Sequence, residues 1–318
     1  MSANNTSMRG QMPANAYVDA QQPAVYSFFG VTTGEIFKAL RQRTHMVLFF
    51  GVAFISALLW IAFLARPHAQ TLFTTNSTHY FYTSLTISYA LLRIFSGLFF
   101  ITLTARIIGL DYQQGTIRII LARGVNKVVL FWAKLLAVFA LAMGALAVFI
   151  AFDTVWGIVI TSVQMHSSVL FTSLNADFWG AAVYYWLTLV INTVATIAIT
   201  ALFTVVGRSL TFGQSLGLGF FPADNFTVIL LPLISQLFNN TSLMNISAYF
   251  LGPNLNYLPK ELVPTLVFAD NSVTSPASAG VGPLIHVDLT NTLTVIAIYT
   301  VVSLIAATYL TYRRDVLE

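Results

Sequence analysis

The stretch Arg106 to Lys134, RIIGLDYQQGTIRIILARGVNKVVLFWAK, decides how the chain is read. It crowds Asp111, Arg118, Arg123 and Lys127 between two long apolar segments of a protein that is only 8% charged. Tyr112 to Ala122 has the pattern of a short helix. Ile117, Ile120 and Leu121 fall at i, i+3 and i+4 on one face, with Gln114, Arg118 and Arg123 off it. Gly124 supplies a C-terminal stop, because glycine reaches the left-handed conformation at little cost. Such a helix is too short and too charged to cross a bilayer. Its apolar stripe is either a docking surface for something outside the lipid or the underside of a helix lying on the interface, with its arginines at lipid phosphates.

The flanking composition sets the class. Hydrophobic residues make up 57% of the chain and the mean hydropathy is +0.78. Several runs exceed the roughly 20 apolar residues needed to cross about 30 Å of hydrocarbon. The expected fold is an all-α integral membrane protein with six transmembrane helices, at Met46–Ala65, Phe81–Ala105, Leu130–Phe152, Gly180–Val206, Gly213–Phe238 and Leu289–Tyr309. One set of flanks carries Arg41, Arg43, Arg106, Arg118, Arg123, Lys127, Lys134, Arg208, Arg313 and Arg314, and the other only Arg66 and Lys260. The positive-inside rule then places both termini and the Arg106–Lys134 segment in the cytoplasm. The net charge of +4 is spread along span ends rather than gathered on a domain face, which argues against a nucleic-acid partner. With no cysteine, disulfides, thiolate metal sites and cysteine nucleophiles are excluded.

Residues 1–31 are polar, rich in Asn, Gln and Ala, and lack the apolar core of a signal peptide, so a disordered cytoplasmic tail is expected there. Residues 32–318 form the transmembrane domain. Thr33 can cap a short helix over residues 32–44, with Ile36, Phe37 and Leu40 on one face and Lys38, Arg41 and Arg43 able to reach lipid headgroups. Three segments face outward: 66–80, 153–179 and the proline-rich 239–288. The glycosylation-type motifs at Asn239, Asn240 and Asn245 are read as coincidence in an Asn/Thr-rich loop.

Polar residues within the spans are costly and invite functional readings. By residue count Arg93 and Asp224 fall near the midplane. They are expected to pair with each other, to line a water-filled path, or to serve structure alone. Asp153 is expected at the water interface. Gly213, Gly217, Gly219 and Pro222 suggest close helix packing or a hinge in the fifth span. GQSLG at 213–217 also fits G-x-S-x-G, which would make Ser215 the nucleophile of an intramembrane serine hydrolase. That motif needs a strand-to-helix elbow and a nearby base, and of the histidines only His45 shares its side. No metal-binding pattern occurs: H-E-x-x-H is absent, and His286 with Asp288 is isolated.

The run DYQQGTIRIILARGVNKVVLFWAKLLA resembles the signature of ABC-2 type permeases, the membrane subunits of one group of ATP-binding cassette transporters. GRSLTFGQSLGLG between the fourth and fifth spans and the YRRD ending extend the likeness. The resemblance implies an interfacial elbow helix at 32–44 and a cytoplasmic coupling-helix loop at 106–128. Asp111, Gly115, Thr116, Ile117, Arg118, Ile120, Leu121 and Arg123 would form the ATPase-coupling element, and Arg93 and Asp224 would be candidates for the translocation path. No G-x-x-x-x-G-K-[ST] occurs, so ATP and Mg would sit on a separate cytosolic ATPase and this chain would not itself be an enzyme. A second permease subunit is implied, in a cell membrane of prokaryotic type, with export as the direction. The tail and the long last outer loop depart from the family pattern and leave the substrate open. The rival reading is a stand-alone channel or ion-coupled carrier.

Overall fold

A computed structural model describes residues 27–65, 69–164, 173–263 and 281–314. Most of the 1–31 tail, the proline-rich 264–280 part of the last outer loop and the end of the YRRD sequence lie outside the described residues. Within them the protein is helical, with no strand, and six helices are long and apolar enough to cross a membrane. In chain order these elements are α1 (Phe28–Leu40), α2 (Arg43–Leu64), α3 (Ala69–Gln113), α4 (Thr116–Ala122), α5 (Lys127–Gln164), α6 (Ala176–Gly207), α7 (Leu210–Leu237), a 3₁₀ helix (Thr241–Tyr249), α8 (Leu251–Leu262) and α9 (Leu289–Arg313).

Four of the six spans end within about four residues of the expected positions, whereas α3 and α5 run far longer. At 45 and 38 residues they extend about 68 and 57 Å, well beyond the hydrocarbon core. Hydropathy marks only the part of a helix that lies in lipid, so the polar continuation of α3 through Asn76 and the extension of α5 past Asp153 went unread. The first helix also starts earlier than expected, at Phe28. Thr33 is therefore inside α1, its hydroxyl donating to the carbonyl of Phe29, and Ser27 holds the N-cap position.

Helices α3 and α6 are the most enclosed spans, and α2, α7 and α9 form the rim. Aromatic contacts join α3 to its neighbours: Tyr82 stacks on Phe178 with ring centroids 5.6 Å apart, and Tyr89 lies 5.2 Å from Tyr185. Glycines bring α7 against α6 and α3. A Cβ at Gly213 would sit 2.8 Å from the Thr204 backbone, and one at Gly217 would sit 2.8 Å from Ile101 Cγ2. GQSLG is thus a helix-packing sequence. Ser215 lies exposed within a continuous helix rather than at a strand-to-helix elbow, and His45 Nδ1 is bonded to the Ala39 carbonyl. Nothing supports the serine-hydrolase reading. Gly109 makes a matching approach from α3, where a Cβ would lie 2.7 Å from the Leu210 backbone nitrogen.

The segment after α7 is not a simple outer loop. It folds into the 3₁₀ helix and α8, whose Leu251, Asn254, Leu255 and Leu258 are buried. Asp224, about 21 Å along α7 from Leu210, accepts the Gly252 backbone N–H. The start of α8 therefore re-enters the bundle to mid-helix depth.

The basic residues collect at one end. Lys127 Nζ donates to the Arg314 carbonyl at 3.2 Å, Arg314 Nη1 to the Val206 carbonyl at 2.9 Å, and Arg106 Nε to Gln42 Oε1 at 3.3 Å. These contacts bring the α1–α2 junction, the later part of α3, the start of α5 and the last turns of α6 and α9 to the same side. The Gly109 crossing can be tested directly. Gly109→Ala is expected to lower stability by about 1–3 kcal/mol through overpacking against backbone that cannot yield. Gly51→Ala, with open space around its Cβ, should be neutral or better in the same thermal unfolding assay.

Candidate coupling site and polar cleft

The charged loop at the basic end is built around a buried ammonium. Lys134 is only 2% exposed, one turn and more inside α5. Its Nζ contacts Asp111 Oδ2 at 2.5 Å, Glu35 Oε1 at 2.9 Å and the Ile107 carbonyl at 3.0 Å. Asp111 Oδ1 also accepts from Lys38 Nζ at 2.8 Å and from Thr116 Oγ1 at 3.1 Å. Two carboxylates and two ammonium groups thus balance. They tie α1, α3 and α5 together and hold the first residue of α4. Burial alone would lower the Lys38 pKa, but Asp111 and Glu35 outweigh it and hold that pKa above the usual lysine range. Because the folded value is raised, this contribution is complete below about pH 10 and fades only above it, so what Lys38 adds is unchanged across the neutral range.

Two left-handed glycines delimit α4, Gly115 at φ 69° and Gly124 at φ 89°. Both conformations are strained for any residue with a Cβ. The helix is turned opposite to the simplest reading of its sequence. Ile117 is buried against Val125 and Leu130, and Val31, Tyr112, Ile120 and Leu121 pack around that cluster. The apolar stripe is therefore what fastens α4 to the protein. Ile117 and Asp111, at 5% and 3% exposure, are not surface docking residues. The outward face carries Gln114, Gly115, Arg118, Ile119, Ala122 and Arg123, with Ile119 58% exposed. A short amphipathic helix must bury its apolar side, and the protein's own α1 and α5 are close enough to receive it.

Arg93 and Asp224 do not bond each other. Arg93 Nη1 donates to the Leu255 carbonyl and Nη2 to Asn256 Oδ1, both at 2.8 Å, while Asp224 meets the Gly252 N–H. Both hold α8, a partner that hydropathy had consigned to an outer loop. Beside them is a cleft of about 250 Å³ bordered by α3, α6, α7 and α8, where Arg93, Asn192, Thr196, Asn225 and Asn256 supply polar groups. Pro222 lines it as well. Its missing N–H leaves the Leu218 carbonyl, on the same wall, without its helical partner.

Asp153 is not at the water interface. It is fully buried, and one carboxylate oxygen accepts from Ser56 Oγ, from Ser88 Oγ at 2.7 Å and from Trp60 Nε1 at 3.1 Å. Hydroxyls of Tyr89 and Thr154 meet nearby at 2.6 Å, and Trp186 Nε1 donates to Tyr89. This polar knot links α2, α3, α5 and α6. Sequence reading missed it because α5 continues past the apolar run that seemed to end at Phe152. It missed Glu35, Lys38 and Lys134 as one unit because their separations in sequence are large. The available signal was Lys134 itself: an ammonium inside VVLFWAKLLAVF needs carboxylates, and few exist in the chain. No group of three or more His, Cys, Asp or Glu able to hold a metal occurs among the described residues.

Lys134→Met is expected to cost about 3–5 kcal/mol by leaving buried carboxylates undercompensated. Combining it with Asp111→Asn should cost less than the sum of the two changes, as read by a double-mutant cycle in detergent. At the other cluster, Asp153→Leu should destabilise by about 1–3 kcal/mol for each donor left unpaired, and Asp153→Asn by much less because an acceptor remains.

Comparison with known proteins returns one family. A search of curated individual proteins finds no match. A family model described as ABC-2 family transporter protein matches residues 33–244, two thirds of the chain, from within α1 into the 3₁₀ helix that follows α7. The six apolar helices agree with that match. The chain belongs to the ABC-2 family of transporter proteins and is a multi-pass membrane permease.

Proposed function

We propose that this permease is one membrane subunit of an ATP-driven exporter, working as a dimer with a separate cytosolic ATPase that binds ATP and Mg. In this reading α1 is the interfacial elbow helix, α4 is the coupling helix, and both termini are cytoplasmic. The observation that carries it is the two-sidedness of α4. One face is fastened to the protein through Ile117, while the other presents Arg118, Ile119, Ala122 and Arg123 to the aqueous side. Exposed apolar and guanidinium groups flanking one another suit a groove on a soluble partner.

The route of transmission follows from the ion cluster. Thr116 begins α4 and bonds Asp111, which is held by Lys134 of α5 and Lys38 of α1. A displacement of α4 when the ATPase closes would be shared by three helices as a rigid-body shift rather than absorbed in a loop. Substrate would then move past the polar cleft beside Arg93, whose wall includes Asn192, Thr196, Asn225 and Asn256. The channel or carrier alternative leaned on Arg93 and Asp224, and their bonds to α8 give both residues a structural use.

The test is affinity purification of the tagged subunit from its host, with co-purifying proteins identified by mass spectrometry. Wild type is expected to retain an ATPase carrying a Walker sequence. Ile119→Asp combined with Arg123→Glu should reduce that retention and transport at least about tenfold, the loss of roughly 1.4 kcal/mol or more expected from two interface residues. The variant should still reach the membrane, because neither side chain is buried in the permease. Wild-type transport in this variant would refute the assignment of α4, and absence of any ATPase from cross-linked wild type would refute the exporter reading as a whole.

A further inference from the structure

A second cavity has no role in coupling or in the polar cleft. It is an apolar groove of about 330 Å³ on the outside of the bundle, between α2, α3 and α5 and roofed by the end of α1. Phe49, Phe99, Leu103, Ala140, Gly144 and Val148 form most of its length. From Ala140 to Val148 it follows α5 for about 12 Å, close to the depth of one leaflet's hydrocarbon. Small residues on α5 make it a groove rather than a filled seam, and a Cβ built at Gly144 meets nothing within 4 Å.

Arginines neighbour its α1–α2 end: Arg41 follows the lining residue Leu40, Arg43 lies two residues before His45, and Arg106 Nε reaches Gln42 Oε1, while Arg41 lies over the Phe37 ring at 4.1 Å. No carboxylate is within ion-pair distance of these three guanidinium groups among the described residues, since Glu35 and Asp111 are engaged by Lys38 and Lys134. His45 lines the same end at 6% exposure. Its Nδ1 donates to the Ala39 carbonyl, which can only accept, and its Nε2 has no hydrogen-bond partner in the protein.

We propose that this groove is a binding site for an anionic phospholipid of the leaflet on the α1 side. One acyl chain lies along Phe99, Leu103 and Gly144, and the phosphate sits among Arg41, Arg43 and Arg106. The apolar length faces lipid, the charges lie at headgroup level, and their sign selects an anionic headgroup over a zwitterionic one. The occupant contacts the end of α1 and the start of α2, directly beside the Glu35–Lys134 cluster. It therefore fills the outer side of the joint whose inner side is closed by salt bridges. The proposal requires only that the chain sits in a membrane, so it stands or falls separately from the exporter reading.

The experiment is native mass spectrometry of the full chain reconstituted with equal amounts of dioleoyl-phosphatidylglycerol and dioleoyl-phosphatidylcholine, then stripped with mild detergent. Wild type is expected to retain phosphatidylglycerol at least about tenfold over phosphatidylcholine, as three juxtamembrane arginines predict. Gly144→Phe, which fills the groove, should lose the retained lipid without a lower melting temperature. Arg41→Gln with Arg106→Gln should keep a lipid but lose the preference between headgroups. Equal retention of the two lipids by wild type, no retained lipid at all, or undiminished retention by folded Gly144→Phe would overturn the proposal.

Discussion

An ammonium group buried in an apolar helix has to be neutralised where it lies, and Lys134 imposes that requirement on everything at the basic end of this protein. Its two carboxylates come from α3 and α1, so the helix that precedes the first span is drawn under the bundle and packed along α5. The second ammonium, Lys38, completes the balance and adds a further hold on Asp111. Once Asp111 is fixed, the chain must leave α3 at that point, turn at Gly115 and begin α4 from Thr116. The position of the exposed helix α4 thus follows from a buried charge.

The same economy recurs deeper in the bundle. Arg93, Asp224 and Asp153 are each costly in a low-dielectric interior, and each is met by hydrogen bonds from other helices, Asp224 by the one from Gly252. Two of them bind a single re-entrant element, α8, which gives the polar cleft one of its walls. Polar groups that read as isolated transport residues in a one-dimensional pattern serve first as fasteners. The cleft is lined by one of these fasteners, Arg93, together with Asn192 and Thr196, whose hydroxyl donates to the Asn192 carbonyl.

The membrane class and all six spans were legible because long apolar runs leave little choice in lipid. The end of α4 was legible too, since Gly124 marks its stop, whereas Tyr112, read as its start, belongs to the last turn of α3. Three features were not. The extension of α3 and α5 beyond the bilayer is stabilised by tertiary contacts such as the Asp153 knot, which no local window contains. The orientation of α4 could not be read from periodicity, because a stripe at i, i+3 and i+4 identifies an apolar face without saying whether the protein or a partner covers it. The burial of α8 was hidden by its composition: Asn254, Asn256 and Pro253 look like loop residues until Asn254 Nδ2 is seen to donate to the Phe250 carbonyl and Asn256 Oδ1 to accept from Arg93.

The close crossing of Gly109 against Leu210 has a mechanical consequence. Backbone meets backbone there, so α3 and α7 share a pivot near the base of the bundle, only a short way from Asp111. Arg93 lies about 24 Å up α3 from that pivot and Asp224 about 21 Å up α7. The two arms are of nearly equal length. A tilt of about 10° at the crossing would move either tip by about 4 Å, nearly one helical turn. Because both tips are attached to α8, this short helix would register the difference between the two tilts, and the cleft beside it would widen or narrow with that difference.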